Sequence, residues 1–219
     1  TKNSIGKEKA IIESYCSIGF DNIFIRPLTQ LGCAKIQWEK IGYSAEQFKA
    51  FYKSALQYII RKNIDGVPIQ EGFSTTVFSK LLHRYPVNYM ELRSPCGASV
   101  GQLAYYTNGD VYTCDEGRML SEMGNDCFKL GNVFENQFSD LISNKTCRTA
   151  CLSSITESIP GCCDCVYQPF CGVCPVVNMA IYNDTLAKEP HNYRCKINEV
   201  PFFVWEIFFS YLFVSLKLI

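Results

Sequence analysis

The sequence predicts an α/β chain in three parts. Residues 1–90 read as the closing βα units of a parallel domain, 91–199 as a cysteine-rich part of hairpin, short helices and loops, and 200–219 as an apolar C-terminal helix. Three observations carry that prediction. Helical and strand-like patterns alternate through the first part. Glycine and cysteine rise from Ser94-Pro95-Cys96 onward. Seven cysteines in the second half then fall into one spaced order.

The elements follow in order. Gly6 to Ser17 has helix character, with Gly19 as its stop. Asn22 to Arg26 is a short apolar run closed by Pro27, which reads as a buried strand. Ser44 and Gln47 form a capping box. Phe48, Phe51, Tyr52, Ala55, Leu56, Ile59 and Ile60 follow it at helical spacing. Val67 to Gln70 is expected as a strand and Thr75 to Tyr85 as a helix. Beyond Cys96, Gln102–Thr107 and Asp110–Thr113 flank Asn108-Gly109, a hairpin signal that suits a type I′ turn. This hairpin would place Cys114 at the end of its second strand, facing Cys96. Leu130 to Val133 leads into a short helix near Gln137–Ile142. Residues 144–194 are expected to be loop-rich, as where metal ligation replaces an apolar core.

Composition narrows the function classes. With 47% hydrophobic residues the chain can bury a core. Lysine plus arginine equals aspartate plus glutamate at 21 each, so no electrostatic case exists for a nucleic-acid partner. Thirteen cysteines are an odd number in a chain long enough to fold without staples. A reducing, cytoplasmic compartment with metal ligation is therefore expected in place of disulfides. The last twenty residues are almost all apolar, but Glu206 and Lys217 lie among them, and a docked helix is expected there in place of a membrane span. The opening residues read like the middle of a fold, so the chain is expected to be the C-terminal piece of a longer protein.

The cysteines carry the chemistry. Their order is Cys96-x12-Gly109-x4-Cys114, then Cys162-x2-Cys165-x5-Cys171-x2-Cys174, then Cys195 after twenty residues. Four thiolates within thirteen residues can converge on a soft metal centre, zinc or iron–sulfur. Two Cys-x2-Cys pairs fit a zinc site, although the spacer between them is short for a zinc ribbon. The outlying Cys96, Cys114 and Cys195 favour two iron–sulfur centres.

This order resembles the SPASM domain of radical SAM enzymes, departing from it in having x2 where x3 is usual before Cys174. The segments SPCGASVGQLAYYTNGDVYTCDEGRM and PGCCDCVYQPFCGVCPVVN resemble the B-type maturases of the His-Xaa-Ser peptide system. NIFIRPL and IGYSAEQFKAFYKSALQYI resemble the end of that family's partial (β/α) barrel. The resemblance implies two auxiliary [4Fe–4S] clusters. Cys162, Cys165, Cys171 and Cys195 would hold the distal one, and Cys96, Cys114 and Cys174 the nearer one. The fourth position of the nearer cluster is left to Cys127, Cys147, Cys151, Cys163 or an open iron, and Cys163 also offers a shifted alternative to Cys174. The implied activity is modification of a ribosomally made peptide by hydrogen abstraction with a 5′-deoxyadenosyl radical. S-adenosylmethionine and a third [4Fe–4S] cluster are expected upstream, because no Cys-x3-Cys-x2-Cys occurs here. Cys147-x3-Cys151 comes nearest, with Ser154 in the third place. This piece alone is then expected to be inactive. A peptide or protein substrate and an electron donor such as flavodoxin or ferredoxin are the implied partners. Two alternatives stand beside this, a sulfatase-type maturase acting on a protein and a non-enzymatic zinc module.

Other residues have simpler readings. Arg26 could meet a carboxylate of S-adenosylmethionine or of substrate, or form an edge salt bridge. Asp115, Glu116 and Arg118 form a local charge cluster or orient a peptide. Cys16 and Cys33 read as small buried side chains, and His83 as structural. His191, just before Cys195, has a somewhat better claim as a ligand. Tyr105, Tyr106 and Tyr112 are expected to pack across the hairpin.

Overall fold

The computed structural model describes residues 1–83, 87, 89–186, 192–200 and 203–207 of the 219. In chain order its elements are α1 (Glu8–Ser17), β1 (Asn22–Ile23), α2 (Cys33–Ile36), α3 (Trp38–Ile41), α4 (Ala45–Ile64), β2 (Gln70–Glu71) and α5 (Gly72–Leu82). They continue with β3 (Ala104–Tyr105), β4 (Asp110–Tyr112), α6 (Asp115–Ser121), β5 (Lys129–Asn132), α7 (Phe138–Ile142), α8 (Lys145–Leu152), α9 (Pro175–Tyr182) and α10 (Tyr193–Ile197). The chain gathers into two compact units. One comprises residues 1–28, 39–87 and the described residues from 192; the other comprises 29–38 and 88–190.

The first unit is built on a parallel pair, with Asn22 opposite Gln70 and Ile23 opposite Glu71. The Ser44 hydroxyl accepts the Gln47 amide at 3.1 Å and the Gln47 side chain accepts the Ser44 amide at 2.8 Å, which starts α4 as a capping box. Ala45, Phe48, Tyr52, Ala55, Leu56 and Ile59 form its buried face, spaced by three and four residues. Ile12 of α1, Ile23, Ala55, Ile59 and Ile69 make the core, with Cys16 packed against it.

Both strands are shorter than or shifted from the expected ranges, for one reason. Glu71 is 3% exposed and spends its carboxylate on four donors. These are the Ile25 amide at 3.0 Å, the Phe73 amide at 3.2 Å, the Ser74 amide at 2.7 Å and the Tyr52 hydroxyl at 2.5 Å. The Ile25 amide therefore leaves the ladder, and the strand expected over 22–26 ends at Ile23. The same carboxylate caps α5, which starts at Gly72 and not Thr75. Burial, and then Glu71 itself, hold the Tyr52 phenol protonated well above the usual range.

In the last segment, Val200 and residues 203–207 are helical, and Val204 and Ile207 are buried. The Lys49 and Lys53 ammonium groups lie 5.8 and 5.7 Å from the centre of the Phe203 ring. The rest of the expected C-terminal helix, 201–202 and 208–219, lies outside the described residues, as does His191. Among the described residues no helix is long and apolar enough to cross a membrane.

The second unit carries an antiparallel sheet in the order β3-β4-β5, with a bulge between Val111 and Tyr112. The hairpin forms around Asn108-Gly109, but its turn is not type I′, since only Gly109 has positive φ (88°). The Gly109 amide donates to the Tyr106 carbonyl at 3.0 Å, and the Tyr106 amide to the Asp110 carbonyl at 2.8 Å. This is a three-residue loop closed by a left-handed glycine. Asn108 selects it: its side chain accepts the Asp110 amide at 3.0 Å and donates to the Asp110 carboxylate at 2.9 Å. Tyr112 is buried with its hydroxyl on Ser121, and Tyr105 is exposed, so the tyrosines do not pack across the hairpin as expected. The segment read as loop-rich contains two eight-residue helices, α8 and α9.

Replacing Glu71 by alanine strands several buried donors at once. Glu71→Ala is expected to lower unfolding free energy by about 3 kcal/mol or more, measured by urea denaturation.

Candidate metal centre

Cys96, Cys114 and Cys174 come together in the second unit. Cys96 and Cys114 are buried with Leu31, Ala98, Leu120, Phe128, Ala150, Val176 and Ala180, and Cys174 packs against that cluster. Cys96 is placed by its backbone: its amide donates to the Ser154 hydroxyl at 3.0 Å, and Ser154 in turn donates to the Cys151 carbonyl at 2.8 Å. The loop after Cys96 is sewn to the strand before Cys114, because the Ser99 amide donates to the Thr113 carbonyl at 2.8 Å.

Cys114 is the N-cap of α6, and its sulfur accepts the Gly117 amide at 3.3 Å. The Thr113 hydroxyl lies 3.8 Å from the same sulfur. A Cβ at Gly117 would stand 3.0 Å from both Phe128 and the Thr113 hydroxyl, so glycine lets the helix start close against the sulfur. Burial pushes the Cys114 thiol above its ordinary range; Glu116 and then Cys174 add to this, and the Gly117 amide opposes it. Cys174 is likewise the N-cap of a helix, α9, with Pro175 at the first position. The two helices that begin at cysteines pack on each other.

Cys162, Cys165 and Cys171 follow a different local logic. Backbone bonds run from the Cys165 amide to Cys162, from Gln168 to Cys165 and from Cys171 to Gln168, at 3.1, 3.0 and 3.1 Å. Each closes a three-residue turn, so the cysteines recur along one tight ribbon. Cys162 is buried with Ile159 and Val173; Cys165 and Cys171 are half-buried. Cys195 lies in α10 of the first unit, its amide donating to the Asn192 side chain at 2.8 Å.

The remaining cysteines separate by their surroundings. Cys147 is buried with Val111, Leu130 and Leu141, and its thiol points to the Leu141 carbonyl at 3.2 Å, a packing role. Cys127 and Cys163 are exposed. Cys151 sits half-buried beside Ala150, and Ser154, the third place of the near-motif, is a fully buried strut for Cys96. Cys33 is exposed, contrary to expectation. All thirteen cysteines carry thiols, none in a disulfide. Among the described residues no three Cys, His, Asp or Glu side chains stand close enough to share a single metal ion.

Arg26 is exposed beyond the end of β1, its guanidinium 5.8 Å from the Phe24 ring centre, on a cleft lined by Tyr15, Ile23, Tyr43 and Phe48. Arg118 pairs with Asp115 at 2.8 Å within α6 and lies over the Tyr106 ring, a local charged surface. His83 caps the end of α5.

The second unit also holds buried polar atoms that sequence reasoning did not single out. The Ser99 hydroxyl and the Gln102 side-chain nitrogen, both in the loop after Cys96, are buried without a hydrogen-bond partner among the described residues. So is the side-chain oxygen of Asn178, one turn beyond Cys174.

No family model matches the chain, and no curated protein sequence matches it significantly. Its fold is that of solved structures of anSMEcpe, an anaerobic sulfatase-maturating enzyme of the SPASM-domain radical SAM type. Against anSMEcpe with bound AdoMet the TM-score is 0.67 at 14% identity, covering 100% of this chain and 53% of that one. Against the form with AdoMet and the Kp18Cys peptide the TM-score is 0.64 at 14% identity, covering 100% and 56%. The chain thus spans about half the length of these structures.

Ser154→Ala would leave the Cys96 amide buried and unpaired. It is expected to cost about 1–2 kcal/mol in denaturant unfolding, with no change in secondary structure by circular dichroism.

Proposed function

We propose that this chain is the cluster-carrying part of a radical SAM maturase that modifies a ribosomally made peptide, with the His-Xaa-Ser type of peptide as its substrate class. The observation that carries the reading is the burial of Cys96 and Cys114 in one apolar cluster with Cys174 packed against it. The fold shared with a SPASM-domain enzyme and the ribbon holding Cys162, Cys165 and Cys171 support it. Cys96, Cys114 and Cys174 would hold the nearer [4Fe–4S] cluster, and Cys162, Cys165, Cys171 and Cys195 the distal one. When bound, such clusters supply one-electron acceptance and donation.

The chain's own residues set the conditions for that. Leu31, Leu120, Phe128 and Val176 exclude water around the nearer site, and the Gly117 amide and Thr113 hydroxyl hold the Cys114 sulfur in place. Ser154 and the Ser99–Thr113 bond fix the Cys96 loop. We assign Arg26, which lies beyond the end of β1, a carboxylate of S-adenosylmethionine or of substrate. Radical generation would fall to a Cys-x3-Cys-x2-Cys segment outside this sequence, with a flavodoxin or ferredoxin as electron source. The cytoplasm suits these thiols.

Anaerobic reconstitution tests this directly. A brown protein with about eight iron and about eight sulfide per chain is expected, and Cys165→Ser should remove about half of each. A colourless protein holding about two zinc ions would overturn the redox reading in favour of a binding module. Modification of a sulfatase-derived peptide, but not of a His-Xaa-Ser peptide, by the full-length enzyme would reassign the substrate.

A further inference from the structure

The cleft beside Arg26 lies wholly within the first unit, between α1, the end of β1 and the start of α4, and has a volume of about 190 Å³. Five aromatic rings line it. Tyr43 and Phe48 are buried, their ring centres 5.8 Å apart and their planes 13° from parallel. Phe51 follows Phe48 at 6.5 Å and 27°. Tyr43 is held in place because its phenol oxygen accepts the Leu28 amide at 2.5 Å. Tyr15 and Phe24 are exposed along the same cleft. Arg26 is the one charged side chain among the lining residues, its guanidinium 5.8 Å from the Phe24 ring centre. The Thr1 ammonium, which also lines the cleft, has the same sign, and no aspartate or glutamate is among the lining residues.

Shape and charge together select the ligand. Near-parallel rings favour another flat ring stacked beside them. Cations without an acid favour an anion and leave an entering cation unpaired. Size narrows the class further, since pockets that enclose a drug-sized molecule run to roughly 300–1,000 Å³. This cleft therefore takes one large side chain. S-adenosylmethionine is too large for it and would bring a sulfonium and an ammonium with no acid to meet them. A free aromatic amino acid would likewise bring an unpaired ammonium. A peptide's last residue carries a ring and a carboxylate in one unit, with its nitrogen acylated and uncharged. We propose that the cleft is a subsite for the C-terminal aromatic residue of a peptide, its ring against the Tyr43–Phe48–Phe51 wall and its carboxylate on Arg26. This inference rests on the carboxylate role given to Arg26 above, and it selects substrate over S-adenosylmethionine for that role.

The test is a ligand-observed NMR titration of the 219-residue chain with N-acetyl-L-phenylalanine. Its C-terminal amide, N-acetylglycine and S-adenosylmethionine are titrated beside it. The acid is expected to bind, and both the amide and N-acetylglycine to bind about tenfold or more weakly. Arg26→Gln, at an exposed position, should weaken binding of the acid about tenfold or more while leaving thermal unfolding unchanged. No binding of the acid would overturn the inference. Equal affinity for acid and amide, or full affinity in Arg26→Gln, would overturn it together with the carboxylate role of Arg26. Tighter binding of the acetylated, amidated dipeptide phenylalanyl-aspartate would overturn the C-terminal assignment and place an internal acid on Arg26. Arg26-dependent binding of S-adenosylmethionine that displaces the acid would keep the role of Arg26 and overturn the inference alone. The iron and sulfide counts that decide the cluster reading are independent of all these outcomes.

Discussion

Two hydrogen bonds from one short loop fasten Cys96 into the apolar cluster that it shares with Cys114. The Cys96 amide reaches Ser154 and the Ser99 amide reaches Thr113, so the loop is fastened both to the end of α8 and to the strand that delivers Cys114. With them three cysteines distant in sequence share one apolar environment.

The first unit shows the same economy with a different group. Glu71 sits at the junction of β2 and α5, and its carboxylate gathers amides from 25, 73 and 74 and the phenol of Tyr52. One charged group therefore ends a strand, starts a helix and pins α4. A carboxylate so surrounded is tolerable in a core because each oxygen is saturated.

These two features also mark what the sequence could and could not reveal. The capping box of α4 was legible because Ser44 and Gln47 lie three residues apart and the apolar spacing follows at once. The hairpin was legible from Asn108-Gly109, but not its turn type, which the Asn108 side chain selects by bonding to Asp110. The early end of β1 was not legible, since it depends on a contact between residues 25 and 71. Nor was Ser154, which reads as a failed third ligand and acts as a strut for a cysteine 58 residues away. Helices α8 and α9 were hidden because cysteine, proline and glycine around them read as loop.

The electrostatics of Cys114 join the pocket to the proposed group. Its burial disfavours a thiolate, and Glu116 and Cys174 add to that, while the Gly117 amide supplies only partial compensation. A thiol in such surroundings is inert as a nucleophile. Ionisation becomes favourable when a cation of the site's own arrives, because metal coordination deprotonates a thiol outright. The same apolar packing that suppresses the bare thiolate then strengthens its bond to metal by excluding water. Filling the nearer site would thus release protons and tie α6 to α9 through their capping cysteines, coupling ligation to the order of this part of the second unit. The ribbon of Cys165 and Cys171 is half-buried, so the two proposed sites differ in kind: one enclosed by a core, the other laid on a turn.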